Sequence, residues 1–125
     1  MDRRTQRDTA YKLVFEMLVI NNTEPYTLEI IAEDEGQIPE YVMIVFGGVV
    51  ERLDELSMLI DSHAGEFRGK LFAPDKAALL LAAYEILYMD DIPKAVSINE
   101  AVELVKMYST PKSAAFVNGI LAKIG

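Results

Sequence analysis

Cysteine is absent from the 125 residues, which excludes disulfide staples, thiolate nucleophiles and cysteine zinc sites together and suits a reducing compartment. Histidine occurs once, at His63, so no histidine metal cluster and no histidine-pair relay can be assembled. Long apolar runs are missing as well. The longest, Ala77 to Met89, contains Glu85 and falls short of the ~18–20 residues that a membrane span needs. No targeting segment is read at the start, where Asp2, Arg3 and Arg4 follow Met1 and Glu16 interrupts the next apolar stretch. A cytoplasmic protein is expected. Phosphate-cradling glycine loops, nucleophile elbows and dinucleotide fingerprints are lacking, and neither Asp34-Glu35 nor Asp90-Asp91 has calcium-loop spacing. Neither an enzyme nor a cofactor or metal site is therefore expected.

What the chain does have is a core. Hydrophobic residues make up 51% and charged residues 26%, the proportions of a globular chain, and the length allows one domain covering residues 1–125. Helical periodicity runs through every long segment, while alternating residues with hairpin turns are not found, so the class is all-α. The first helix is read over about Arg3 to Ile20 and stopped by Asn21-Asn22-Thr23-Glu24-Pro25. A short helix around Tyr26 to Glu33 follows, then a longer one beginning near Pro39 and reaching Ile60. Gly47-Gly48 inside that helix is costly in propensity, about 1 kcal/mol per glycine, and points to close backbone packing. Pro74 opens a helix to Met89 that is apolar around its whole circumference apart from Lys76 and Glu85 and should be the central one. Ser97 with Glu100 is read as a capping box for a helix from Ile98 to about Tyr108. Ser109 or Thr110 then caps a last helix whose first-turn residue is Pro111.

Charge is unevenly spread. The net value of −8 argues against a generic nucleic-acid binder, yet residues 1–12 carry +2, residues 94–125 carry +2, and the middle holds −12. If the two basic ends meet, they form one local positive patch; otherwise both are simply solvated. On a helical wheel Arg3, Arg4 and Arg7 fall on the side of Ala10, Tyr11, Val14 and Leu18, where they overhang the edge of the core. Cations at a helix N-terminus oppose the macrodipole, so something else must favour them. In the last helix Phe116 lies at the edge of the apolar stripe, on the side of Lys112 and Lys123. An aromatic edge beside lysines suits stacking of a base with phosphates on the ammonium groups, although completing the core is the alternative. Asn118 projects opposite the stripe. Glu85, alone in the central helix, is read as a structural hydrogen-bonding carboxylate before a catalytic one, because no second carboxylate shares its face.

The stretch Ala95-Val96-Ser97-Ile98-Asn99-Glu100-Ala101-Val102-Glu103-Leu104-Val105-Lys106, followed by Ser113 and Phe116-Val117-Asn118-Gly119-Ile120-Leu121, resembles the C-terminal signature of the NusB family of bacterial transcription antitermination factors. The resemblance extends upstream through Asp75-Lys76-Ala77, Ala82, Tyr84-Glu85-Ile86-Leu87 and Gly48-Val49 to Arg3-Arg4-x-x-Arg7, in order along nearly the whole chain. It implies a compact helical bundle of two small packed subdomains and a non-enzymatic role. Such a protein binds single-stranded boxA RNA in nascent ribosomal RNA together with the ribosomal protein NusE, within the RNA polymerase antitermination complex. By that resemblance Arg3, Arg4 and Arg7 meet the RNA backbone, Phe116 and Asn118 lie at or near the RNA, and Asp75 contacts NusE, while Lys112, where the family usually has an acid or neutral residue, joins the RNA-binding set only through its place beside Phe116. Some relatives form dimers that cover the RNA face, so a homodimer is among the states the resemblance allows.

Two rival readings stay open. The same helical domain also serves as a targeting module of ribosomal-RNA cytosine methyltransferases, so a pure protein-interaction module without RNA binding is one alternative. An enzyme with a polar cleft at Glu85 is the other.

Overall fold

A computed structural model describes residues 2–21 and 36–125. Its helices are α1 (Arg3–Ile20), α2 (Glu40–Glu51), α3 (Leu53–Asp61), α4 (Ala73–Tyr88), α5 (Lys94–Tyr108) and α6 (Ser113–Leu121), with a 3-10 turn at Gly65–Phe67, and no strand occurs among the described residues. The short helix expected around Tyr26 to Glu33 lies outside the described residues.

Helix α1 has the bounds its sequence announces. Asp2 caps it by accepting the Thr5 backbone N–H at 2.8 Å, and Asn21 ends it in the left-handed region at φ 54°, where asparagine is tolerated better than most residues. Helix α4 is the centre of the molecule: α1, α2, α3, α5 and α6 all pack against it. That is why it is apolar on every side, with Ala77 through Ala83 completely enclosed. Pro74 sits in its first turn, where a missing N–H costs nothing.

Three expectations about boundaries need correction. The helix read from Pro39 to Ile60 is two helices, broken at Arg52 (φ −112°, ψ 23°), and the break re-aims the second so that Leu56 and Ile60 both enter the core. The Ser97–Glu100 capping box does not form. Helix α5 begins at Lys94 with Pro93 as its cap residue, and the buried Ser97 hydroxyl donates to Glu85 instead. Pro111 is not in the first turn of the last helix either, which starts at Ser113, and the Ser109 hydroxyl is drawn off to the Asp75 carboxylate at 2.6 Å.

Gly48 packs as its cost suggested. A Cβ there would stand 2.1 Å from the Tyr84 ring, so the α2 backbone meets that ring directly, whereas a Cβ on Gly47 would meet nothing within 4 Å.

Candidate nucleic-acid interface

The three arginines at the start of α1 point in different directions. Arg7 is buried, 4% exposed, and its Nε and Nη2 donate to the Glu85 carboxylate at 2.8 and 3.2 Å. Glu85 is completely enclosed and also accepts from the Ser97 hydroxyl at 2.8 Å and from the Tyr41 hydroxyl. One carboxylate thereby joins α1, α2, α4 and α5. Burial alone would lower the Arg7 pKa, but the hydrogen bonds and charge of Glu85 raise it overall. Burial, with the charge of Glu85 behind it, holds the Tyr41 phenol above its ordinary value and therefore neutral.

Arg7 is therefore removed from the group expected to meet RNA: its guanidinium is committed inside the core, and reaching a ligand would strand Glu85 without its counter-charge. The same geometry bears on the enzymatic reading of Glu85, whose carboxylate is fully enclosed and committed to Arg7, Tyr41 and Ser97.

Arg3 and Arg4 remain at the surface. Arg3 lies over the face of the Tyr41 ring at 4.4 Å from its centroid, and no acid among the described residues is within ion-pair distance of it. It borders a cleft shared with Glu40, Ile44, Met89 and Asp91. Arg4 donates to Glu100 Oε1 at 3.0 Å, and that bond raises its pKa.

At the far end of α5 a groove of about 380 Å³ is lined by Phe67, Lys70, Leu71, Phe72, Lys112 and Phe116, with Asp75 and Ser113 also on its wall. Phe116 is partly buried and stands edge-on to Phe67, their centroids 5.5 Å apart. Phe67 and Phe72 are about half exposed, an open aromatic floor with Lys70 and Lys112 exposed beside it. Asp75 is mostly buried and held by the Ser109 hydroxyl, which also bonds Ser113 at 3.0 Å. Asn118 is exposed on α6 but does not line this groove.

The basic ends do not meet in one groove. Arg4 is tied to Glu100, while the Phe116 groove is reached through Ser109 and Thr110. Ser109 lies nine positions beyond Glu100, about 13 Å along the helix axis, and no α1 residue lines the groove. Helix α1 runs along α5 from the Arg4–Glu100 pair to Tyr108, whose ring stacks on Tyr11 and whose hydroxyl donates to Asp8, and α6 packs along α5 as well, Lys94 donating to the Ala122 carbonyl. Phe67, Lys70 and Phe72 were missed as part of a site because they belong to an irregular segment, where no periodicity marks a face. The two exposed phenylalanines were the available signal.

The NusB family model matches residues 4–125. A transcription antitermination protein NusB of Ruminiclostridium cellulolyticum is 39% identical over 99% of this chain and 88% of its own length. The solved structure of NusB from T. maritima superposes with a TM-score of 0.86 at 32% identity, covering 98% of this chain and 89% of that one. A crystal structure of the antitermination factors NusB and NusE in complex with double-stranded RNA superposes with a TM-score of 0.81 at 24% identity, covering 96% and 92%, and attests the fold. With the arginine-led first helix, the enclosed Glu85 and the Phe116 signature all in place along a match of this extent, the chain belongs to the NusB family.

Proposed function

We propose that this protein is a transcription antitermination factor that binds boxA-type single-stranded RNA together with the ribosomal protein NusE, acting by binding and not by chemistry. The observation that carries the reading is family membership over residues 4–125, among relatives whose name is transcription antitermination protein. The NusB that was crystallised with NusE and RNA supports the choice of partners. So does the surface: an exposed aromatic floor flanked by Lys70 and Lys112 offers a π-face to an unstacked base and ammonium groups to its phosphates.

In this reading Arg3, Arg4 and Lys112 hold the RNA backbone and Phe116 stacks a base, with Asn118 at the margin of the path. Asp75 receives a donor from NusE. The acidic middle of the chain, −12 over residues 13–93, suits a cationic ribosomal protein and makes the pair the binding unit.

Filter binding of a boxA-type oligonucleotide to the chain, with and without NusE, across a salt series, tests this. Lys112→Ala lowers the slope of log K against log salt by about 0.7, the single-strand value for one phosphate. Phe116→Ala weakens binding by about 1–3 kcal/mol with the slope unchanged, as loss of one stacked base requires. Binding to NusE without RNA binding in any combination would overturn the proposal in favour of the protein-interaction module.

A further inference from the structure

Arg4 is the one arginine of α1 that is both at the surface and already paired. Its Nη2 donates to Glu100 Oε1 at 3.0 Å, across 96 residues of sequence, from a side chain 74% exposed to one only 19% exposed. The carboxylate is therefore the largely covered member of the pair, on α5, and the guanidinium the exposed one. The cleft that contains this pair is lined by Arg4, Asp8, Glu100, Glu103, Leu104 and Met107, three acids to one cation. Lys12 balances Asp8 at 3.0 Å, and Lys106, which does not line the cleft, reaches Glu103 at 3.5 Å.

Such surroundings do not offer Arg4 to a phosphate. They present it with one already satisfied acceptor, and Glu103 adds to the field that keeps it there. Arg3, four-square on the Tyr41 ring and without a carboxylate at ion-pair distance among the described residues, has no such competitor.

We infer that Glu100 is an affinity- and specificity-setting residue of the RNA surface: its carboxylate occupies the Arg4 guanidinium in place of an RNA phosphate and must be displaced before Arg4 can contribute. The inference rests on the RNA-binding reading above. A phosphate that arrives alone loses to an intramolecular acid that pays no association entropy. One delivered by a strand already anchored on the lysines and the aromatic floor gains from high local concentration and displaces it. The pair thus suppresses loosely held, non-specific RNA more than RNA that engages the whole surface.

The test is a four-member cycle of wild type, Glu100→Gln, Arg4→Ala and the double variant, each bound to NusE, against a boxA-type oligonucleotide and a scrambled one of the same length. Glu100→Gln tightens the scrambled oligonucleotide about three- to five-fold, the range of an exposed ion pair, and the boxA-type oligonucleotide by less. In the Arg4→Ala background the Glu100→Gln change has no effect. Equal tightening in both backgrounds would mean general charge repulsion, and unchanged or weaker binding would mean that Glu100 itself serves the RNA; either overturns the inference. A second arm does not depend on RNA. The Arg4 side-chain N–H resonance is followed while pyrophosphate is titrated, and its midpoint falls several-fold in Glu100→Gln. Identical midpoints refute the competition even where RNA binding stands, whereas a shifted midpoint in a protein that binds no RNA refutes only the functional reading.

Discussion

Arg4 and Arg7 stand one turn apart on the same helix, and each donates to a carboxylate contributed by a distant part of the chain. In the sequence they are two members of one basic cluster. In the fold they do opposite work, because the carboxylates differ: Glu85 is sealed inside α4, and Glu100 lies at the solvent edge of α5. An ion pair in water is weak and exchangeable, whereas a buried pair with every acceptor filled is an all-or-nothing structural joint. The lesson is that a cation's role is set by the burial of its partner, which the local sequence does not display.

The comparison breaks most visibly by truncating one member of each pair. Arg7→Ala leaves the enclosed Glu85 carboxyl group with only the Tyr41 and Ser97 hydroxyls and no counter-charge, and it should cost about 3–5 kcal/mol in urea denaturation. Replacing both partners, as Arg7→Met with Glu85→Leu, should cost clearly less than the single change, since no charge is stranded. Arg4→Ala should leave the denaturation midpoint nearly where it was. Equal losses from Arg7→Ala and Arg4→Ala would dissolve the distinction.

A second pair of neighbours repeats the contrast without charge. Gly47 and Gly48 are equivalent in composition, yet only Gly48 lies against the Tyr84 ring. Gly48→Ala drives a methyl into that ring and should destabilise by about 1–3 kcal/mol, the range for overpacking. Gly47→Ala meets open space inside a helix and should stabilise by up to about 1 kcal/mol. Thermal midpoints moving in opposite directions would sharpen the point, and a shared direction would show that α2 backbone propensity outweighs the contact.

How much of this was legible beforehand follows the same line. Helix α1 could be read to its ends because its stop, Asn21, acts through its own backbone, and Pro74 marked α4 for an equally local reason. The circumferential apolarity of Ala77 to Ala83 gave away the central helix, and the isolation of Glu85 on it favoured a structural carboxylate, as found. Long-range choices were not legible. Ser97 could cap a helix or serve Glu85, Ser109 could cap the next helix or hold Asp75, and only tertiary packing decides which acceptor is nearer. Arg7 was grouped with Arg3 and Arg4 for the same reason, its partner being 78 residues away. The aromatic groove escaped because half of it lies in the irregular stretch around Phe67 to Phe72, where side-chain direction follows no period.

The buried side of the comparison also has a pH signature that the surface side lacks. Tyr41 donates to Glu85, and its phenol is raised from 10.0 by burial, then by the charge and hydrogen bond of Glu85; Tyr11 is raised from the same value by burial and by Asp75. In the unfolded chain both lose their protons near pH 10, while the folded chain keeps them. The contribution is therefore fully present below about pH 10 and declines as pH rises from there toward the higher folded values, by about 1.4 kcal/mol per pH unit for each tyrosine. Denaturation midpoints measured from pH 9 to pH 11 should be level and then fall. Tyr11→Phe, which removes a titrating group but leaves the Glu85 cluster intact, should flatten that fall by roughly one tyrosine's share. A profile that falls equally steeply in Tyr11→Phe would remove Tyr11 from the alkaline transition and leave it to the other raised phenols.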